Sequence, residues 1–360
     1  MKTDSTSRGI DLLLLPGDGI GPEITRAVDA ALRALEARTD IGLRLTTVEI
    51  GLAALAREGR TMPVDLLDRA RRADGVVLGP LSTWDYPPAD RGGINVSAVL
   101  RRELDLYSNI RPCLTRPGLR SVARDMDLVI VRENSEGFLS DRVMAVGSGE
   151  FMPTPDVALA VRKITASAST RIAEVAAALA TTRRRKLTAV HKANSLKLSD
   201  GLFLRQVRAV VERTPGLEYE EVLVDAMAAL LVRCPERFDV VVTTNLFGDI
   251  LSDEAAELSG SLGLASSLNS GEGHAVAQAA HGSATDIAGK DRANPTALLL
   301  SAAMLLRWIA DRRGDTRVGR ASDLLSASVE GVLSDPSLRT PDLGGTCGTE
   351  RFGAAVAARI

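Results

Sequence analysis

The 360-residue chain predicts an α/β protein built on a mixed, mostly parallel sheet. Three observations carry this expectation. Short β-branched or Leu-rich apolar runs alternate with amphipathic helical stretches, Gly and Pro punctuate the turns between them, and no linker-like tract separates independent modules. The run 12–15 reads as a strand, Pro16-Gly-Asp-Gly-Ile-Gly21 as a tight loop, and the stretch from Pro22 as a helix with Pro at its first position. Strand-like 43–50, a helix around 64–72 and strand 75–78 follow, then a Pro- and Gly-rich loop over 79–93 and a helix near 96–103. Beyond strand 128–131 the sequence is irregular to about 155, and Ala-rich periodicity predicts a helix over 156–180. Strand 187–190, helix 199–213, strands 220–224 and 238–244, and helices 296–312 and 321–333 complete the pattern.

Composition narrows the function. A net charge of −2 gives no electrostatic reason to expect nucleic acid or an anionic membrane as partner. The one dense basic run, 183–186, follows a helical stretch and reads as a solvated helix end. Cys113, Cys234 and Cys347 are too few and too scattered for a disulfide framework or a metal knuckle, which suits a reducing cytoplasm. The apolar block 12–15 is too short for a signal sequence or a membrane span. Basic residues are overwhelmingly Arg, with only six Lys, so a Lys kept inside a motif suggests chemistry that Arg cannot do: a buried Lys can shed its proton, Arg cannot. Lys192 and Lys290 stand out.

The most informative spacing is Asp249-x3-Asp253, immediately after the apolar run 238–244. Four residues apart on a helix, the two carboxylates share one face and repel unless a cation sits between them. Asp225 stands upstream as a third carboxylate, and all-oxygen ligands suit Mg2+ or Mn2+. An isolated pair of this kind is more ordinarily a cap and a solvated side chain. Gly17-x-Gly19-x-Gly21 lacks the G-x-G-x-x-G spacing, and Asp18 would repel a pyrophosphate, so tight-turn glycines are the better reading there. Arg101, Arg111 and Arg132 offer permanent, bidentate charge suited to a di- or tricarboxylate, although any one Arg alone reads as a surface ion pair. His191-Lys192-Ala-Asn194 and His281-Gly-Ser-Ala284-Thr285-Asp286 through Lys290, with Asn294-Pro295 beyond, form two further clusters.

Taken together, PGDGIGPEI (16–24), ELDLYSNIRP (103–112), VRENSEG (131–137), HKANSLKLSDGLF (191–203), NLFGDILSD (245–253), HGSATDIAGK (281–290) and TPDLGG (340–345) resemble the β-decarboxylating dehydrogenases. That family includes isocitrate, homoisocitrate, 3-isopropylmalate and tartrate/D-malate dehydrogenases, and the motifs lie nearest the isocitrate/homoisocitrate branch. The resemblance implies a two-domain, non-Rossmann α/β fold. A large cofactor-binding domain would take 1–106 plus 259–360, a small domain with the dimer interface 107–258, and a cleft would lie between them. It implies a homodimer with shared active sites: Asp249 and Asp253 hold the metal in one subunit, while Asp225 and Lys192 arrive from the other. Arg101, Arg111 and Arg132 would clamp a small hydroxy di- or tricarboxylate. NAD would be held by Asn194, His281, Gly282, Ser283, Ala284, Asp286 and Asn294, the acidic Asp286 favouring ribose hydroxyls over a 2′-phosphate. Lys192 would remove the hydroxyl proton, and the metal would act as Lewis acid for decarboxylation.

Three positions depart from the family pattern. The tyrosine seven residues after the VREN arginine, the acid that protonates the product carbon, is Leu139 here, so water or Tyr86 is expected to take that role. Gln278 stands where relatives carry Glu, and Thr285 replaces a Pro. Isopropylmalate enzymes place leucines three and four positions before the first arginine. This chain has Ser97 and Ala98, with Asn95 nearby, which suits a polar or anionic 3-substituent. Leu78 occupies the position where isocitrate enzymes carry a lysine, so a homoisocitrate- or phosphonomethylmalate-like substrate joins isocitrate as an expectation. The alternatives are 3-isopropylmalate or tartrate/D-malate oxidation, or a non-catalytic regulatory subunit of the family.

Overall fold

The structure is a computed structural model and describes residues 9–139 and 149–360. The chain divides into two units. One gathers the residues up to Leu104 with Ser266–Leu268 and Gly273–Ile360; the other holds Asp105–Ala265 and Asn269–Glu272. The division thus falls at 104/105 and within 266–272, beside the limits of 106/107 and 258/259 expected from the motifs. The later return has a local cause. The amide of Asn109 donates to Asn269 Oδ1 at 3.1 Å, and the Ser108 and Ser270 hydroxyls lie 2.9 Å apart, tying 269–270 to the second unit.

The chain opens with β1 (Ile10–Leu15), α1 (Gly21–Thr39), β2 (Leu43–Thr47), α2 (Leu52–Glu58), α3 (Leu66–Arg72), β3 (Gly75–Leu78) and α4 (Val96–Glu103). It then builds the second unit from β4 (Ser108–Leu114), β5 (Asp127–Glu133), β6 (Glu150–Thr154), β7 (Val157–Ala160), α5 (Ala166–Thr181), β8 (Lys186–His191) and α6 (Ser199–Glu212). β9 (Glu218–Leu223), α7 (Val224–Arg233), β10 (Val240–Thr243), α8 (Asn245–Ser259) and β11 (Leu268–Ser270) follow. The chain closes with β12 (Ala275–Gln278), α9 (Thr296–Arg313), α10 (Thr316–Leu333) and α11 (Thr349–Arg359).

In the first unit the strands run β2-β1-β3-β12, all pairs parallel. Helix α9 lies on β12 and β3 and is buried on nearly every side, which explains its almost unbroken apolar sequence. In the second unit the order is β4-β5-β10-β8-β9, with only β4–β5 antiparallel. The Ala-rich face of α5, from Ile172 to Ala180, packs with Val129, Val131, Leu187, Val240 and Val242, the small side chains letting the helix approach the sheet closely. No described helix is long and apolar enough to cross a membrane.

Several elements differ from expectation for physical reasons. Helix α5 begins at Ala166, where the Thr165 hydroxyl accepts the Ala168 N–H at 3.2 Å, and 157–160 is a strand of the β6–β7 hairpin. Both hairpin strands are exposed throughout, so no burial alternation marks them in the sequence. Strand β4 carries Pro112, a residue that weakens a strand signal, and pairs antiparallel with β5. Part of the irregular stretch expected before 155 lies outside the described residues.

Candidate active site

In the second unit, β4 and β5 pair Asn109 opposite Arg132 and Ile130 opposite Arg111. The period of two puts Asn109, Arg111 and Arg132 on one face of the sheet. Helix α8 can lie against that face because residue 248 is glycine: a Cβ there would stand 2.7 Å from the Arg132 side chain. The close approach delivers Asp249 and Asp253 to the arginines. Arg132 Nη1 donates to Asp249 Oδ1, while its Nε and Nη2 donate to Asn245 Oδ1 at 3.0 and 2.7 Å. Arg111 Nη1 reaches Asp253 Oδ1 at 3.0 Å and Ser252 Oγ at 2.6 Å, and its Nη2 lies 3.2 Å from Asp249 Oδ1. Its Nε donates to Asn109 Oδ1 at 2.5 Å.

The arginine side chains are buried, at 8% and 4% exposure, whereas those of Asp249 and Asp253 are 38% and 50% exposed. Two guanidinium groups therefore form a positive floor beneath two carboxylates that face outward. Burial raises the Asp253 carboxyl above its ordinary value, with Asp249 adding to the rise and Arg111 opposing it. Half-exposed hard oxygen ligands on adjacent helical turns, with their charge only balanced by the floor, match the donor chemistry of a divalent cation. Asn245, Ser252 and Asn109 were not singled out by spacing, because a neutral polar side chain acquires its role here only through the arginine it bonds.

Lys192 and Asp225 form the second cluster. Strands β8 and β9 are parallel, with His191 opposite Leu223, so the residues just beyond their ends lie side by side. Lys192 Nζ stands 2.5 Å from Asp225 Oδ1 in the first turn of α7, and this hydrogen bond holds the Asp225 carboxyl below its usual range. Among the described residues, no group of three or more acidic, His or Cys side chains could hold a metal ion. Asp225 thus pairs with Lys192 in its own chain, and the three carboxylates do not converge within one chain. Asn194 is exposed just beyond β8.

The first unit carries the remaining candidates. Asn95 caps α4, accepting the Ala98 N–H at 3.0 Å, and Ser97 Oγ donates to Gln278 Oε1 at 3.1 Å. Arg101 lies in the last turn of the same helix. The loop from His281 to Asp286 presses on the glycine-rich turn: Ser283 O accepts the Ile20 N–H at 2.9 Å, and a Cβ on Gly19 would lie 2.0 Å from that oxygen. Gly17 and Gly19 stand at φ +72 and +57, so they serve a tight turn, the reading expected of them. Ser283 Oγ also takes the Ser82 hydroxyl at 2.8 Å. Gly282 and Asp286 are exposed, and Ala284 sits at φ +38. Burial lowers the His281 imidazole below its ordinary value, favouring the neutral ring.

Two of the expected residues already have partners within the first unit. The Asn294 side chain donates to Asp342 Oδ2 at 3.0 Å and accepts the Thr296 N–H at 3.0 Å, contacts that brace the start of α9. The other is Tyr86. Its hydroxyl donates to Asp18 Oδ2 at 2.5 Å, and burial together with that carboxylate pushes the phenol far above its ordinary value. Asp18, itself buried, also accepts the N–H groups of Leu52 at 2.7 Å and Ser82 at 3.0 Å. Leu139, the other half of that question, is 49% exposed.

Residues 11–356 match the family model described as isocitrate/isopropylmalate dehydrogenase. The chain is 40% identical to 3-isopropylmalate dehydrogenase of Sulfurisphaera tokodaii, over 95% of this chain and 96% of that protein. It is 42% identical to isocitrate/homoisocitrate dehydrogenase of Thermus thermophilus, over 96% and 97%. The crystal structure of isocitrate dehydrogenase from Methylococcus capsulatus superposes with a TM-score of 0.85 at 38% identity, covering 97% of this chain and 99% of that one. Enzymes of this family oxidatively decarboxylate small hydroxy acids, use NAD(P) with Mg2+ or Mn2+, and are often dimeric. The fold, the motifs and these matches agree: the chain belongs to the isocitrate/isopropylmalate dehydrogenase family and is a decarboxylating dehydrogenase.

Proposed function

We propose that the protein oxidises and decarboxylates a malate bearing a polar or anionic 3-substituent, using NAD and Mg2+ or Mn2+. The observation that carries this reading is the floor of Arg111 and Arg132 beneath Asp249 and Asp253. A hydroxy polycarboxylate needs both signs at once: guanidinium groups for its carboxylates and a cation for its hydroxyl and adjoining carboxylate. When bound, the metal supplies Lewis-acid polarisation of the hydroxyl and of the ketone formed from it, and NAD takes up the hydride.

The chain's own residues do the rest. Arg111 and Arg132, joined by Arg101, hold the substrate carboxylates. Lys192, next to Asp225, accepts the hydroxyl proton, and Asp225 keeps the ammonium placed and takes up its charge. Asp225 completes the metal ligand set from a second copy of the chain. A homodimer accords with the apolar side chains of the β6–β7 hairpin, Phe151, Met152, Val157 and Leu159, all exposed in the single chain. With Leu139 aliphatic and Tyr86 bonded to Asp18, water donates the proton to the product carbon. His281, Gly282, Ser283, Ala284, Asp286 and Asn194 bind NAD, and Asn294 supports them through its brace on α9.

Asn95 and Ser97 sit at the N-terminal end of α4, where the helix dipole favours negative charge. They therefore select an anionic 3-substituent, as in isocitrate, homoisocitrate or phosphonomethylmalate. The test is a panel of these three with 3-isopropylmalate, D-malate and tartrate, each with NAD or NADP and Mn2+, reading NADH (or NADPH) and carbon dioxide. An anionic 3-substituent and NAD should give the highest kcat/KM. Preference for 3-isopropylmalate would replace the substrate assignment, preference for NADP would refute the role of Asp286, and NADH without carbon dioxide would show that Leu139 truncates the reaction.

A further inference from the structure

Arg162 belongs to none of the recognised motifs, yet its buried guanidinium, 7% exposed, joins three parts of the second unit. Its Nη1 donates to Asp200 Oδ1 and to Ser199 Oγ, the latter at 3.2 Å. Its Nη2 donates to Thr244 Oγ1 at 2.8 Å, at the entry to α8. The guanidinium carbon lies 5.2 Å from the Phe247 ring centre and 5.8 Å from that of Phe138. Asp200 is fully buried and turns its other oxygen to the backbone N–H of Lys192, at 2.5 Å.

We propose that Arg162 is a positioning residue. Through Asp200 it fixes the backbone of Lys192, and through Thr244 and Phe247 it fixes the start of the helix bearing Asp249 and Asp253. The inference rests on the reading of Lys192 as proton acceptor. Its physical basis is charge. A buried carboxylate needs a counter-ion, so without Arg162 the Asp200 side chain must turn toward water or take up a proton. Either outcome loosens its hold on the Lys192 amide. Lysine at 162 could keep the charge but not the planar fork that reaches Asp200 and Thr244 together.

The experiment uses Arg162→Lys, Arg162→Gln and Thr244→Val in the full chain, with Lys192→Met as control. Hydrogen exchange over residues 191–198 needs no substrate and should accelerate about tenfold or more in Arg162→Lys, while exchange in the first unit stays native. With whichever panel substrate the native enzyme oxidises, kcat should fall about 10- to 100-fold, as for a misplacement of about 1 Å, with the KM for NAD unchanged. Thr244→Val removes one arm of the fork and should give a smaller loss in the same direction; it carries the test with Arg162→Lys if Arg162→Gln does not fold. Native exchange over 191–198 in Arg162→Lys, or faster exchange with a native kcat, would overturn the proposal. So would an equal loss in NAD binding, which marks a general structural defect. A fully active Lys192→Met would sink the assignment of the base instead, whereas an inactive Lys192→Met beside a fully active Arg162→Lys sinks only the positioning role.

Discussion

Replacing Tyr86 with Phe separates two accounts of how the product carbon gains its proton. The substitution deletes the hydroxyl that donates to Asp18 Oδ2 and leaves that carboxylate the N–H groups of Leu52 and Ser82. A hydrogen bond to a charged group contributes about 1.5–3 kcal/mol. At about 2–4 °C per kcal/mol for a unit of this size, the melting temperature should drop by about 3–12 °C. The phenol of the folded protein lies above its ordinary value of 10.0. Its contribution is therefore complete below pH 10 and fades as the pH rises beyond it, so the variant's deficit should shrink in strong alkali. Turnover should hold within about threefold, with NADH and carbon dioxide still released together. Were Tyr86 the general acid, turnover would instead fall about 100- to 10,000-fold. The assay is thermal unfolding at pH 7 and pH 11 beside simultaneous measurement of both products. A loss of 100-fold or more with an unchanged melting temperature would refute the reasoning and return Tyr86 to the chemistry.

Asn245→Ala removes the oxygen that Nε and Nη2 of the buried Arg132 share and should cost about 1.5–3 kcal/mol in urea unfolding, with a raised KM for the hydroxy acid. A change below about 0.5 kcal/mol would show that Arg132 is held in other ways. Asp249→Asn should lower kcat/KM about 1,000-fold, the equivalent of about 4 kcal/mol, and weaken the response to Mn2+. Undiminished oxidation in excess chelator would end the metal assignment. Burial pushes the Glu136 carboxyl up to about 7 from 4.5, against the Thr165 N–H that it accepts. A raised value means that its contribution is present below pH 4.5 and lost as the pH climbs to 7, so Glu136→Gln should gain on the native protein between pH 5 and pH 8 in urea titrations. Parallel pH profiles for the two proteins would contradict that environment for Glu136.

The residues legible in the sequence share one property: their chemistry is local. The i, i+4 spacing of Asp249 and Asp253 needs only a helix to put both on one face, and the apolar run before them supplies a strand to aim it. The glycines of the PGDGIG run likewise announce a tight turn, although only the fold shows that Ser283 O packs against Gly19. The alternation of strands and helices and the arginine-bearing motifs were visible for the same reason. The β6–β7 hairpin was not, because both of its faces are exposed in the single chain and its pattern resembles neither period.

What the sequence by itself determined is the family, the fold class and the inventory of charged groups that a hydroxy-acid dehydrogenase requires. Only the tertiary structure decided how those charges are paired. Arg111 and Arg132 lie beneath Asp249 and Asp253, Lys192 turns to Asp225, Tyr86 spends its proton on Asp18, and Asn294 braces a helix. Each of these pairings joins residues far apart along the chain, and its strength depends on distance and burial, which no spacing along a chain encodes.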